Sequence, residues 1–249
     1  MPRRANDADA SVLDRYLRDL LPGAYLADTV LPLVPEIRLW LINADYPVGP
    51  LPPEVANILM DAPPYWAFCW GSGAVLARWL LDHPEVVRGK VVLDFGAGSG
   101  VVAVAAALAG ARRAVACDLD PNACLAARAN ATLNGVTVET AGDYFSFGRD
   151  VDLIVAADVL YDRDNLPFLE RFRCRAADVL VADSRVRNFD APGYRRLGAR
   201  DCIAVPDLGE AAWVRHVTVY GAGASWREAG RAPVNLPSVT LPEDDRKER

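Results

Sequence analysis

The sequence predicts an α/β fold with a doubly wound, mostly parallel sheet and an N-terminal helical extension. Two features indicate this architecture. Short apolar segments that end in aspartate alternate with longer segments of helical character, as they do in open parallel sheets. One of these segments, residues 91–95, leads through a turn with three glycines into the alanine-rich segment 101–109. A strand, a glycine turn and a helix in this order bring bare backbone N–H groups up to a ligand.

The composition is that of a soluble globular protein. The chain has 249 residues, enough for one large α/β domain or two small ones, and 52% of them are hydrophobic. The formal net charge of −6 and the absence of basic runs argue against nucleic acid as the main partner. No apolar stretch has the length of a membrane helix, and the first residues lack a signal-peptide core. We therefore expect a cytoplasmic protein with no membrane partner.

The cysteines and histidines predict no metal centre. The five cysteines are scattered and form no C-x-x-C pair, which is typical of reduced thiols in the cytoplasm. The two histidines, His83 and His216, lie far apart in the sequence. Neither a zinc or iron site nor a histidine general base is expected. The oligomeric state cannot be read from the sequence.

The first part of the chain, residues 1–62, is predicted to be an N-terminal extension that could act as a lid. Apolar residues show helical spacing over 11–21, with Ser11 as the cap. The segment 36–41 fits a strand and a short helix equally well. A proline-rich connection follows, with a helical piece over residues 53–60.

Four aromatic residues then occupy six positions beside a turn of small residues. Aromatic side chains flanked by glycine at a turn can form a pocket wall, and an aromatic face attracts a cation such as a sulfonium. We interpret Trp66 and Trp70 as ligand contacts and Phe68 as a core residue. A helix is predicted over residues 74–81.

The spacing of the glycines indicates which ligand the turn binds. The dinucleotide fingerprint G-x-G-x-x-G, started at Gly96 and Gly98, needs its third glycine at position 101, which is Val101. The third glycine is Gly100 instead. Asp94, just before the turn, would repel a phosphate and attract an ammonium group. The turn therefore suits a zwitterionic ligand, such as an amino acid that carries a nucleoside, although a tight turn without a ligand remains an alternative.

Three further predicted strands also end at acidic residues. Asp118 lies at a strand end about 20 residues beyond the turn, where a carboxylate can accept both ribose hydroxyls. Asp143 could meet the amine of an adenine on which Tyr144 stacks, or it could be an ordinary turn residue beside core aromatics. If the first and fourth strands flank the reversal of strand order, Asp158 and Tyr161 face the same crevice as the glycines. The three strands are predicted over residues 114–117, 136–140 and 151–157.

The remaining elements follow from caps and apolar periodicity. Asp120 and Pro121 are interpreted as the N-terminal cap and first residue of a helix that ends at Gly135. The domain that contains these motifs is predicted over residues 63–221. Residues 222–249 are rich in glycine, proline and charge and are expected to be disordered. Within the domain we expect helices over 166–174 and 192–197 and strands over 178–182, 202–205 and 213–220.

These motifs resemble the seven-strand protein-lysine methyltransferases that use S-adenosylmethionine (SAM), in particular the electron transfer flavoprotein beta subunit lysine methyltransferases and their bacterial relatives. The resemblance covers residues 35–220. It implies a Rossmann-like, seven-stranded sheet with an antiparallel last strand, and S-adenosylhomocysteine (SAH) as a product. Besides the glycine turn, it rests on the motifs Pro64-Tyr65-Trp66-Ala67, Trp70-Gly71, Val86-Val87-Arg88-Gly89-Lys90, Cys117-Asp118-Leu119-Asp120-Pro121 and Asp158-Val159-Leu160-Tyr161-Asp162.

The resemblance also implies roles for individual residues. Asp158 and Tyr161 would border the methyl-transfer site, and the substrate would be a protein lysine, with electron transfer flavoprotein as the first candidate. The chain departs from its relatives at Gly71-Ser72-Gly73, near the expected substrate entrance. Implied cofactor contacts are Trp70, Asp94, Gly96, Gly98, Gly100, Asp118 and Asp143. We also predict cofactor contacts at Ser99, Leu119 and Tyr144, and substrate contacts at Tyr65, Trp66, Asp183 and Arg185.

Two other functions remain open from the sequence. A methyltransferase acting on a small-molecule amine would need the same cofactor residues, with residues 1–62 as a closing lid. A non-catalytic SAM-binding partner protein is the second alternative, although the presence of Asp158 and Tyr161 argues against it. A nicotinamide dehydrogenase is disfavoured by Val101 and Asp94. The target lysine and the number of methyl groups added cannot be read from the sequence.

Overall fold

A computed structural model describes residues 8–46, 63–148, 150–186 and 189–226. The predicted helical piece over 53–60 lies outside these residues. The helices are α1 (Ala8–Leu20), α2 (Gly71–Asp82), α3 (Val101–Leu108), α4 (Pro121–Leu133) and α5 (Phe168–Arg175). The strands are β1 (Leu26–Val30), β2 (Arg38–Ile42), β3 (Val91–Phe95), β4 (Arg113–Cys117), β5 (Glu139–Ala141), β6 (Leu153–Ala157), β7 (Asp178–Asp183), β8 (Tyr194–Asp201) and β9 (His216–Gly223).

The main sheet has seven strands in the order β5-β4-β3-β6-β7-β9-β8. The strands from β5 to β7 are parallel to one another, and β9 runs antiparallel to both of its neighbours. The predicted seven-stranded sheet with an antiparallel last strand is therefore confirmed. From β3 the chain moves to β4 and β5 on one side and to β6 on the other. The strand order thus reverses between β3 and β6, where open α/β sheets bind their ligands.

The helices beside the glycine turn form for different reasons. In α3 the residues from Val101 to Ala106 are buried, so this short helix is held by the core around it rather than by an amphipathic pattern. Helix α4 begins with a side-chain cap, because Oδ1 of Asp120 accepts the backbone N–H of Asn122 at 2.8 Å. The predicted capping role of Asp120 agrees with this geometry.

The described part of the N-terminal extension consists of α1 and a hairpin of β1 and β2. Helix α1 begins at Ala8, so the prediction that Ser11 caps it was wrong. The ambiguous segment 36–41 forms strand β2, whose side chains alternate between two apolar clusters. Leu39 and Leu41 pack into the core of the main sheet, whereas Trp40 packs with α1 and α4. Because both faces are buried, the segment lacks the polar alternation that distinguishes a strand from a helix.

The C-terminal part differs from its prediction in three respects. Residues 192–197, predicted as a helix, run into β8, because β9 offers an edge on which they pair. Residues 202–205 form no strand of the main sheet, although Val205 pairs with Cys69. Strand β9 continues to Gly223, and Trp226 is buried against Gly221. Residues 222–226 are therefore ordered against the expectation, and residues 227–249 lie outside the described part. Within that part, no helix combines the length and apolar content needed to cross a bilayer.

Candidate ligand-binding site

A cavity of about 810 Å³ lies at the carboxyl ends of the parallel strands where their order reverses. Its volume is within the range of pockets that hold small molecules. Tyr16 of α1 also lines it, so the N-terminal extension contributes to its wall. The predicted site residues that line the cavity are Tyr65, Trp66, Trp70, Gly96, Gly98, Asp118, Leu119, Asp143, Tyr144, Asp158, Tyr161 and Arg185.

The glycine turn is shaped by three residues with left-handed backbone angles. The φ angles are +68° at Gly96, +52° at Gly98 and +76° at Gly100, a region that side chains disfavour. A Cβ at Gly96 would lie 2.6 Å from Val159, and one at Gly100 would lie 2.6 Å from the Cα of Ala127. A Cβ at Gly98 would meet no atom within 4 Å. Gly96 and Gly98 both line the cavity, and the backbone at Gly98 is the less crowded of the two.

Asp118 connects the end of β4 to this turn. Its Oδ2 accepts the N–H of Gly98 at 2.9 Å, and its Oδ1 accepts the N–H of Asp120 at 3.0 Å. Burial raises the pKa of this carboxyl, whereas the two N–H donors lower it. These two bonds fix the orientation of the Asp118 carboxylate in the cavity wall. A carboxylate that recognises hydroxyl groups needs such a fixed orientation.

Asp94 does not line the cavity, contrary to its prediction as the partner of a ligand ammonium. Its side chain is only 2% exposed, and Oδ2 accepts the N–H of Ala103 in α3 at 3.0 Å. The cause is strand alternation: Phe95 lines the cavity, so the preceding side chain points to the other face. Burial raises the pKa of Asp94 to about 7. Its role in the structure is to hold the start of α3.

Three other predicted contacts also lie outside the cavity lining. Ser99 is buried, and its carbonyl accepts a hydrogen bond from Asn130 in α4 at 2.8 Å. Gly100 packs on α4, where the close approach leaves no room for a ligand. Asp183 is buried, and its Oδ1 accepts the N–H groups of Arg185 and Val186, each at 2.7 Å. Asp183 therefore orients the loop that carries Arg185.

A group of aromatic side chains around Tyr144 forms part of the cavity wall. The buried ring of Tyr144 packs edge-on against Phe95, with centroids 5.6 Å apart, and against Phe168 at 5.4 Å. Beside it, the carboxylate of Asp143 accepts the N–H groups of Phe145 at 3.1 Å and Ser146 at 3.0 Å. Asp143 is thus a turn residue, the alternative considered from the sequence, and it also lines the cavity.

The sequence reasoning missed Phe95 and Phe168 as cavity residues. Strand alternation next to Asp94 was a usable signal for Phe95, because one of these two neighbours had to face the cavity. For Phe168 the sequence held no signal beyond an apolar position in a helix. Both rings add apolar surface to this part of the cavity wall, against which a planar base could pack.

Asp158 also lines the cavity and has a strained backbone conformation. It is a non-glycine residue with a φ of +51°, which costs on the order of 1 kcal/mol. Its Oδ1 accepts the hydroxyls of Ser72 at 2.6 Å and Ser184 at 3.1 Å, and Oδ2 accepts the N–H of Ser72 at 3.2 Å. Ser72 and Ser184 were both missed from the sequence, because their contacts with Asp158 are long-range.

An aromatic group adjoins Asp158. The ring of Tyr65 lies 6.2 Å from that of Tyr161 and 5.8 Å from that of Trp70, and the indole N–H of Trp70 donates to the carbonyl of Tyr65 at 3.2 Å. Tyr161 remains 54% exposed. Partial burial, with a smaller contribution from Tyr65, raises the pKa of Tyr161 to about 12. The phenol is therefore neutral at pH 7.

The remaining predicted substrate residues have contrasting positions. Arg185 lines the cavity, pairs with Glu210 at 3.0 Å and holds its guanidinium carbon 5.9 Å from the ring of Trp70. Trp66 is only 1% exposed and packs in the apolar cluster between α1 and α4, with its ring 6.3 Å from that of Tyr16. Trp66 is thus mainly a core residue that borders the cavity.

The chain is similar to known methyltransferases. The family model "Ribosomal protein L11 methyltransferase (PrmA)" matches residues 75–162. The electron transfer flavoprotein beta subunit lysine methyltransferase of Mus musculus is 42% identical over 135 residues, which are 53% of this chain and 52% of the mouse protein. The chain therefore spans about half the length of this relative. The Xenopus laevis protein of the same name is 37% identical over 175 residues, which are 67% of this chain and 70% of that protein.

One of the solved structures similar to this chain is the ribosomal protein L11 methylase from Lactobacillus delbrueckii subsp. bulgaricus. It aligns with a TM-score of 0.45 and 21% identity, covering 59% of this chain and 76% of that chain.

Among the residues that the structure describes, no group of three or more histidine, cysteine, aspartate or glutamate side chains is arranged to hold a metal ion.

Proposed function

Because the chain belongs to the family of the electron transfer flavoprotein beta subunit lysine methyltransferases, we propose that it transfers a methyl group from SAM to a lysine amine of a protein. The observation that carries the proposal is that one cavity is lined both by Asp118 with the open turn at Gly98 and by Asp158 with Tyr161. The first pair suits a nucleoside joined to an amino acid. The second pair supplies polar groups beside an aromatic surface at which an amine could react.

The lining of the cavity fits SAM by its chemistry. The Asp118 carboxylate can accept hydrogen bonds from the hydroxyls of a ribose, the backbone at Gly98 is open, and the aromatic side chains offer apolar surface for an adenine. When bound, SAM supplies a methyl group that its positive sulfonium already activates. The residues of the chain then need to position the two reactants and exclude water.

The substrate amine must lose its proton before it can attack. An ordinary lysine has a pKa of about 10.4, so less than roughly 0.1% of it is neutral at pH 7. A lysine amine beside Tyr65, Trp70 and Tyr161 would lose water when the protein substrate docks, and the neighbouring sulfonium charge would further disfavour its ammonium form. Asp158, fixed by its serine donors, would orient the amine by accepting one of its hydrogen bonds. The proton itself can leave to water before the attack.

We propose electron transfer flavoprotein as the first protein substrate to test, because the names of the relatives contain it. We also propose that residues 1–62 form part of a cover over the site, which is supported by Tyr16 in the cavity lining. Both proposals concern the approach of the substrate. The cofactor residues do not depend on them.

The experiment is incubation of the protein with radiolabelled SAM and either purified electron transfer flavoprotein or a cell lysate. A labelled protein band, with a mass gain of methyl units in the intact subunit, is the expected result. Label found only in small molecules would instead support the small-amine alternative. SAH binding without transfer to any acceptor would support the non-catalytic alternative. A protein that binds NAD tightly and SAH not at all would refute the cofactor assignment.

A further inference from the structure

We propose that Asn130 is a positioning residue for the methyl donor: its side chain holds the glycine turn in its binding shape and ties that turn to the N-terminal hairpin. The inference rests on the proposed function, because it assigns Asn130 to the binding of SAM. Asn130 does not line the cavity and lies on the side of α4 that faces the turn and β2. It acts through Ser99 rather than by touching the ligand.

The Asn130 amide is fully buried and bridges two parts of the chain. Its Nδ2 donates to the carbonyl of Ser99 at 2.8 Å, and its Oδ1 accepts the backbone N–H of Trp40 at 2.7 Å. One bond therefore ends in the glycine turn and the other in β2. A buried amide with both of its ends bonded has one defined orientation, so it can transmit position between the two backbones.

Asn134, one helical turn further along, also bonds to β2 and to the carbonyl of Asn130 at 2.7 Å, but it does not reach the glycine turn. Its Oδ1 accepts the N–H of Arg38 at 3.0 Å, and its Nδ2 donates to the carbonyl of Arg38 at 2.6 Å. Four residues of helix rise about 6.0 Å. Two residues of strand advance about 6.6 Å. Because these two distances are nearly equal, Asn130 and Asn134 can bond to Trp40 and Arg38, which are two residues apart in β2.

The glycine turn depends on this contact for its shape. The Ser99 peptide lies between two residues with left-handed angles, Gly98 and Gly100. Helix α4 holds it twice, by the hydrogen bond from Asn130 to Ser99 and by the approach of Ala127 to Gly100. Without the amide, the buried Ser99 carbonyl would lack this partner, and rotation of its peptide would relieve that cost. Such a rotation also turns the N–H of Gly100, whose hydrogen bond to the carbonyl of Ala97 at 2.7 Å closes the turn around Gly98.

The test compares Asn130→Ala with the matched control Asn134→Ala. Both variants remove an amide that pairs with β2, but only the first removes a bond from the glycine turn. We expect the dissociation constant of SAH, measured by calorimetry, to rise about tenfold in Asn130→Ala and less than about twofold in Asn134→Ala. The KM for SAM should rise by a similar factor in Asn130→Ala, while kcat at saturating SAM stays within about twofold of the wild type.

The outcomes separate the inference from the proposed function. Wild-type protein that binds no SAH would overturn the proposed function. If the wild type binds SAH and both alanine variants bind it equally well, or are weakened equally, Asn130 only holds the hairpin and the inference is wrong. A fall in kcat without a change in the KM for SAM would contradict it as well.

A second measurement uses the wild-type protein, so it decides the matter even if Asn130→Ala does not fold. Coupling between two sites is reciprocal, so SAH that orders the turn should also order the strand bonded to Asn130. We expect SAH to slow hydrogen exchange at the Trp40 amide by roughly fivefold and to change exchange at the Arg38 amide much less. Equal effects at the two amides, or none at Trp40, would refute the coupling.

Discussion

Replacement of Asp94 by asparagine should remove a defined part of the pH dependence of stability. Asp94 is buried, and burial raises its pKa to about 7 from the ordinary value of 3.8. The folded protein therefore keeps this proton up to about pH 7, whereas the unfolded chain releases it near pH 4. The free energy of unfolding consequently falls as the pH rises through this interval, and the loss is complete above the folded-state pKa.

The size of the effect follows from the two pKa values of Asp94. One pKa unit corresponds to about 1.36 kcal/mol, so the whole interval is worth about 4 kcal/mol. Between pH 5 and pH 8 the wild type should lose roughly 2.5 kcal/mol of this amount. The asparagine keeps an oxygen that can accept the N–H of Ala103 and has no proton to lose. The variant should therefore lack this part of the slope.

Urea unfolding at pH 5, 6, 7 and 8 gives the free energy of unfolding for both proteins. The difference between the two pH profiles isolates Asp94, because the other titrating groups are common to both proteins. Any constant cost of burying the new amide cancels in that difference. Parallel profiles would mean that Asp94 is already ionised in the folded protein at pH 5, and the account of its burial would be refuted.

The other predictions concern the cavity and its turn. Asp158→Asn, which tolerates the left-handed backbone, should lower kcat by about 100-fold with SAH affinity nearly unchanged; near-normal turnover in a methylation assay would exclude the assigned role. Asp118→Ala should weaken SAH binding at least about tenfold by calorimetry, and unchanged affinity would remove it from the site. Gly100→Ala, whose Cβ would meet Ala127, should lower the free energy of unfolding by about 3 kcal/mol in urea, against about 1 kcal/mol for Gly98→Ala. Equal losses at the two glycines would contradict the packing at Gly100.

Local patterns predicted much of the sheet and one wall of the cavity. The apolar segments before Asp118 and Asp158 are strands, and both side chains reach the same cavity because parallel strands end at one edge. Side chains alternate along a strand, so Asp94 and Phe95 point to opposite faces of β3. We expected Asp94 to face the cavity because its carboxylate could bind an ammonium group, but Phe95 lines the cavity instead. The roles of these residues in binding and catalysis remain predictions.

Other features depend on contacts between distant residues. The serine donors to Asp158 include Ser72, which is 86 positions away in the chain, and nothing in the local sequence indicates that pairing. Strand β8 forms from a segment that contains three arginines, because an available strand edge outweighs local propensity. The hydrogen bonds of Asn130 are hidden for the same reason, since its position in a helix indicates only a buried face.

The position of β9 between β7 and β8 has a consequence for folding during synthesis. In the described sheet, β8 pairs with β9 alone, although the ribosome makes β8 first. When residues 194–201 emerge, β7 therefore still has a bare edge and β8 has no neighbour to pair with. Both therefore lack their native partner, and are open to association with other chains, until residues 216–223 follow. A stalled or truncated chain that ends before β9 should consequently be recognised by chaperones even though its glycine turn is already complete.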